Sequence, residues 1–152
     1  MNTSEIQTLL TALFNQHGIC TSIDQLPMDN HFPLLVVFNT STSNIDYGHW
    51  IAAIIHKENG YLFDSFAQEP DSKVANWLSR HCSINWSFNT RVVQSYLTES
   101  CGLYCIYFLY YALLLYPNVS WHDIMTVLFP PTLTIDEYEC IVYQFINTLL
   151  IE

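Results

Sequence analysis

Apolar positions change period several times along this chain, and each change marks an element. Between residues 4 and 16, Ile6, Leu9, Leu10, Leu13 and Phe14 recur at helical spacing, and Gly18 stands where such a helix would stop. Pro33 to Asn39 is an apolar, β-branched run that predicts a buried strand, and a polar loop follows from Thr40 to Asp46. His49 to His56, rich in Ile and Ala, predicts the next strand. Lys57-Glu58-Asn59-Gly60 then reads as a hairpin turn, because Asn-Gly accepts the positive φ angles such turns demand. Tyr61 to Phe66 is the returning strand. Pairing the two sets His49, at the start of one, beside Asp64, near the end of the other.

Pro70 to His81 predicts a surface helix with Val74, Trp77 and Leu78 on its inner face. A short strand, Arg91 to Gln94, is expected within Thr90 to Tyr96. The polar turn Thr98-Glu99-Ser100 then leads into Cys101 and the most apolar stretch of the chain. From Leu103 to Tyr116 nearly every residue is apolar or Tyr, which is too short for a membrane span of about 20 residues and fits a buried helix. Pro117-Asn118 ends it. Ser120-Trp121-His122-Asp123 and Thr134-Ile135-Asp136-Glu137 are capping boxes opening two further helices, separated by Pro130-Pro131, the last running to about residue 150. There are no repeats, low-complexity tracts or interdomain linkers, and 152 residues predict one domain, residues 1–152.

Composition narrows the function classes. Apolar residues make up 51% of the chain and charged residues only 12%, so a sizeable core is available and disorder is not expected. The formal charge is −10, with Lys57, Lys73, Arg80 and Arg91 as the permanent cations. A nucleic-acid partner is therefore not expected, since binding one needs basic patches. An acidic surface suits basic partners or simply keeps an apolar chain soluble. The five cysteines, Cys20, Cys82, Cys101, Cys105 and Cys140, are odd in number and lack zinc-knuckle spacing. No basic segment with an apolar h-region opens the sequence, so no signal peptide is expected. Free thiols in a reducing intracellular compartment are the simplest expectation.

Four polar sites interrupt the hydrophobic sequence: Gly48-His49-Trp50, Phe63-Asp64-Ser65-Phe66, Gln94, and Ser100-Cys101-Gly102-Leu103-Tyr104. A thiol nucleophile needs a base, an acid to orient that base, and an oxyanion donor. Cys101, His49, Asp64 and Gln94 fill these roles. Cys101 follows a polar turn at a helix start, where free amides and the helix dipole favour a thiolate. Cys105, embedded in apolar sequence, reads as structural. His49 competes with His17, His31, His56, His81 and His122, but only it heads a strand beside Asp64, with Trp50 able to shield its ring. Asp64 interrupts an aromatic strand, where an unpaired charge is costly; its bland alternative is a strand-end residue capping the next loop. Gln94 can join the Cys101 backbone N–H in an oxyanion hole, although many glutamines end strands. Gly102 leaves room for substrate, and Trp50 with Phe66 would roof the cleft. No second ligand pair accompanies Cys101 and Cys105, so no metal is expected.

The order His49, Asp64, Gln94, Cys101 excludes the chain order of papain, in which cysteine comes first. It resembles the adenovirus protease (adenain) and its relatives, the SUMO/ubiquitin-like-protein proteases. The likeness runs from about residue 4 to 116 through Gly48-His49-Trp50, Tyr61 to Phe66, Gln94 and Cys101-Gly102-Leu103-Tyr104-Cys105. The seven-residue step from Gln94 to Cys101 is the adenain spacing; SUMO proteases usually use six. The resemblance implies an α+β, papain-like cysteine protease fold with rearranged chain order and an antiparallel central sheet flanked by helices. It also implies endopeptidase action at Gly-containing sites in capsid precursors, as in adenoviruses and Polinton/Maverick-type elements. Three departures stand out. Asp64 occupies a position where adenain commonly has Glu and SUMO proteases have Asp. The acidic chain shows no basic groove for the DNA that activates adenain. Cys82, the candidate for a disulfide to a short activating peptide, is one residue further from Gln94 than the pattern requires, and an inert thiol is the competing reading.

The leading expectation is a viral or transposon-encoded thiol protease that needs no cofactor for its chemistry and acts as a monomer on a protein substrate. Its expected location is the host nucleus or cytoplasm, and the virion. The rivals are a SUMO- or ubiquitin-specific isopeptidase, a catalytically dead binding module, and an acyltransferase, which would need a basic acyl-coenzyme pocket.

Overall fold

In the computed structural model, residues 1–28, 31–44 and 48–151 are described. Asp46 and the end of the polar loop after Asn39 lie outside them.

The chain begins with α1 (Thr3–Phe14), opened by a reciprocal cap between Asn2 and Glu5. The helix ends earlier than its apolar spacing suggests, at Asn15, which takes φ 54°. A 3-10 turn follows, and Gly18 begins a strand, β1 (Gly18–Ser22), which the pattern did not predict. A Cβ on Gly18 would fall 2.9 Å from Leu10 Cβ, so glycine here permits close packing of strand on helix rather than stopping the helix.

Next come β2 (Leu34–Asn39), β3 (Trp50–His56), β4 (Asn59–Phe63), α2 (Ser72–His81) and β5 (Asn85–Phe88). The five strands form one sheet in sequence order. The central pairs β2–β3 and β3–β4 are antiparallel, as expected, while the outer strands β1 and β5 join in parallel. The outer side of β1 is partly covered by Gln7, whose side chain accepts from the Cys20 amide and donates to the Gly18 carbonyl. It satisfies backbone groups that an open edge would leave exposed.

The hairpin exists, but two residues earlier than the Asn-Gly signal implies. His56 pairs with Asn59, so Lys57 and Glu58 form the turn, and Lys57 carries the positive φ of 59°. Gly60 lies inside β4 because a Cβ there would meet Cys82 Sγ at 2.5 Å.

Every residue of β2 is buried, and its side chains alternate between two cores. Leu35, Val37, Trp50, Ala52, Ile54 and Phe63 face one core; Leu34, Val36, Phe38, Ile51, Ile55 and Leu62 face the other. Burial on both faces explains why these strands read as continuous apolar runs. The second core is closed by α2 through Val74, Trp77 and Leu78.

The first core holds α3 (Cys101–Leu115), which packs on β3 and is enclosed by α1, α4 (Trp121–Leu128) and α5 (Ile135–Leu149). That surround is why α3 lacks a polar face. Among the described residues no helix is long and apolar enough to cross a membrane. Thr134 and Glu137 form the expected box at α5; at α4 only the Ser120 half forms, accepting from the Asp123 amide. Arg91 to Gln94 is not a strand. Val93 and Gln94 instead bond to the Ser65 carbonyl, and β5 pairs with β4 upstream of them.

Candidate active site

The end of β4, the start of β3 and the N-terminus of α3 converge on one cleft. His49 precedes β3 and Asp64 follows β4, so both lie just beyond the ladder. Continuing the register from the Ala52–Phe63 pair places them at the same end of the hairpin. His49 Nε2 and Asp64 Oδ1 are 2.5 Å apart, and the carboxylate is 2% exposed.

Asp64 also performs the bland role considered for it. Its carboxylate accepts from the amides of Phe66 at 2.8 Å and Gln68 at 3.3 Å, fixing the loop after β4. Its backbone is held by Asn89, which accepts from Asp64 N and donates to Asp64 O. Asn89, just past β5, is buried and was not singled out from the sequence. Its role depends on β5 lying beside β4, which no local pattern announces.

With Nε2 taken by Asp64, the other ring nitrogen of His49 is left for the Cys101 thiol, which lines the same cleft and interacts with the ring. Burial disfavours both charges, raising the thiol and lowering the imidazole. The opposing interactions prevail. Asp64 and Cys101 hold the His49 value up, from 6.5 to about 9. The bond from His49, with the backbone amides of Trp50 and Gly102, brings the Cys101 thiol below its ordinary value. The favoured state is a thiolate–imidazolium pair at the first residue of α3, where backbone N–H groups lack intrahelical acceptors.

Three of the remaining thiols differ. Burial pushes Cys20 up to about 12 and Cys82 up to about 11, and fully enclosed Cys105 is held well above its ordinary value. Cys82 lies in the core on the opposite side of the sheet from Cys101, packed against Gly60. That placement favours an inert thiol over a disulfide-forming one.

Gln94 is enclosed and does not line the cleft. Ser65 donates to its Oε1 at 2.6 Å, which turns Nε2 toward the Thr98 carbonyl and hydroxyl at 3.2 and 3.1 Å. Both amide protons are thus engaged within the loop leading to Cys101. Gly102 also departs from expectation. The side-chain position there meets Ile6 Cδ1 at 3.2 Å and Met1 Sδ at 3.6 Å, so its missing Cβ makes room for the α1 region, not for a substrate. Gly48, by contrast, is sterically required: a Cβ would fall 2.1 Å from Asn39 Oδ1.

The cleft, of about 410 Å³, is lined by Trp50, Phe66, Tyr96, Thr98, Glu99 and Asn39 around His49 and Cys101. Trp50 is almost wholly buried, its indole N–H donating to the Met1 carbonyl. The open aromatic wall is instead a stack: His49 on Phe66 at 4.5 Å, and Phe66 on Tyr96 at 4.6 Å. Beside Cys101, Glu139 of α5 accepts from Ser100 Oγ at 2.5 Å and from Tyr104 OH at 2.8 Å, clamping the first turn of α3. Tyr96 and Glu139 escaped the sequence reading because neither carries a local motif. Among the described residues no cluster of metal-binding side chains occurs.

The architecture is the papain-like cysteine protease fold: a sheet flanked by helices, with cysteine at the head of the central helix facing a histidine beside the sheet. Two crystal structures of the ASFV pS273R protease share it. One aligns at TM-score 0.57 and 16% identity over 91% of this chain and 63% of that one. The other, of the selenomethionine protein, aligns at TM-score 0.50 and 25% identity over 73% of this chain and 42% of that one. This chain therefore spans less than two thirds of the length of those proteases. No protein-family model and no curated protein sequence matches it.

Proposed function

We propose that this chain is a cysteine endopeptidase that processes viral or virus-like structural precursors at Gly-containing sites. The observation that carries the reading is Cys101 and His49 lining one cleft, with buried Asp64 bonded to the histidine ring from behind. The Cys101 thiolate attacks the scissile carbonyl, forming a C–S bond and a tetrahedral oxyanion. His49 gives its proton to the leaving amine as the C–N bond breaks. It then takes a proton from water, which attacks the thioester and releases the acid and the thiolate. Asp64 holds the ring and stabilises its charged form. The oxyanion is met by the Cys101 backbone N–H and by Gln94, whose amide exchanges Thr98 for it when substrate arrives.

The aromatic wall formed by Phe66 and Tyr96 beside His49 favours glycine beside the scissile bond, since glycine brings its backbone close without a side chain. No Lys or Arg lines the cleft, which disfavours an acyl-coenzyme. The test offers the purified protein two substrates: a Gly-Gly capsid-type peptide, and a folded ubiquitin-like protein bearing a C-terminal fusion. Preference for the peptide supports the precursor-processing reading. Cleavage of the folded protein alone transfers the assignment to a ubiquitin-like-protein isopeptidase. Cleavage of neither, with or without a Cys-containing activating peptide, overturns both.

A further inference from the structure

We infer that Glu99 and Tyr96 form a cation-selecting subsite of this cleft, so that a substrate with Lys or Arg close to the scissile bond is preferred. The inference rests on the protease reading above. Both residues line the cleft, and both come from the loop that delivers Cys101. Glu99 is exposed, two residues before the nucleophile. Among the described residues no cation pairs with it. Tyr96 is 68% exposed, one face stacked on Phe66.

A carboxylate and an aromatic ring on one wall suit a cationic side chain, which gains an ion pair and a cation–π contact together. The rest of the molecule reinforces this choice. The cleft lining contains no Lys or Arg, and the whole chain carries −10. Of its four cations, Arg91 is occupied with Tyr138 and the Phe129 carbonyl. An acidic substrate residue beside Glu99 would meet a like charge, whereas a basic one neutralises it. The glycine preference concerns the residues at the scissile bond; this subsite adds a charge requirement to one side of them.

The test uses fluorogenic Gly-Gly peptides in which Lys, Gln or Glu is placed in turn at each of the three positions on either side of the glycines. At one position kcat/KM for Lys is expected to exceed that for Gln by about 3- to 10-fold, the scale of one exposed ion pair plus one cation–π contact. Glu should be the poorest, and the Lys advantage should shrink in high salt. In Glu99→Gln the Lys-to-Gln ratio should fall to the share that Tyr96 alone supplies, and in Glu99→Gln with Tyr96→Leu to about 1. In Glu58→Gln, an exposed carboxylate on the hairpin turn, the ratio should persist, which separates a local contact from overall charge. Equal rates for Lys, Gln and Glu at every position, or a Lys preference undiminished in Glu99→Gln, overturn the subsite and leave the protease reading standing. Cleavage of no peptide overturns the subsite together with that reading.

Discussion

Ser65 Oγ donates to Gln94 Oε1 at 2.6 Å, joining residues 29 apart in sequence and both buried. Ser65 adjoins the acid Asp64, and Gln94 begins the loop that ends at Cys101. The Ser65 carbonyl also accepts from the amides of Val93 and Gln94. One serine thus ties the strand end carrying Asp64 to the loop carrying Cys101. Removing its hydroxyl in Ser65→Ala leaves the Gln94 carbonyl buried without a donor, a loss of about 1–3 kcal/mol. Denaturant unfolding should show that loss, with kcat falling as the Gln94 amide is freed to rotate.

Cys101→Ala should lower peptide hydrolysis by at least about 10³-fold, as removal of a nucleophile does elsewhere. Iodoacetamide at neutral pH should label Cys101 before Cys20, Cys82 or Cys105, because burial raises those three thiols. Mass spectrometry after brief labelling checks the order. Faster modification of any of the three would remove Cys101 from its role.

The pH dependence follows from the pair. His49 is raised from 6.5 to about 9, so the stability it contributes is fully present below 6.5 and is lost as pH rises through about 9. Cys101 is depressed, so its contribution is present above its ordinary value of 9.0 and is lost as pH falls through the lowered folded value. Peptidase activity should therefore fall on the alkaline side near pH 9 and on the acid side below the lowered thiol value. In Asp64→Asn the alkaline limb should move to lower pH, and kcat should drop by about 10-fold or more. A pH–rate profile of both proteins measures this, and coincident alkaline limbs would refute the assigned partner.

Glu139→Ala leaves the Tyr104 hydroxyl without its acceptor and the Ser100 hydroxyl with only Thr98 Oγ1 at 3.2 Å, at a cost of about 1–3 kcal/mol. The first turn of α3 should loosen, lowering kcat more than it raises KM. Glu139→Gln retains an acceptor and should recover most of the stability. Thermal melts with steady-state kinetics separate the two variants.

Gly60→Ala drives a Cβ to within 2.5 Å of Cys82 Sγ. The overpacking should cost about 1–3 kcal/mol. Adding Cys82→Ala removes the sulfur, so the double variant should be more stable than the sum of the single losses allows. Strict additivity by denaturant unfolding would place the strain elsewhere.

Much of the frame is local and was therefore legible. The Trp50–His56 strand, the helix from Cys101 and the Thr134–Glu137 cap each rest on residues close in sequence, and period or capping chemistry declares them. His49, Asp64 and Cys101 stand out because each polar residue interrupts an apolar element, and burial of such a group needs a partner. What the sequence left undecided depends on residues far apart. Strand β1 is short and half-polar, and is stabilised by β2 and the side chain of Gln7. The hairpin turn falls at Lys57-Glu58, and Gly60 is needed inside β4 where Cys82 packs over it, a contact with a residue 22 positions away. Gly102 serves helix packing and Gln94 bonds to Thr98, which neither residue type discloses. Tyr96, Glu99 and Glu139 acquire meaning only when a loop and the last helix are folded against the nucleophile. Periodicity records which face of an element is buried; which residue waits on the other side is decided by packing.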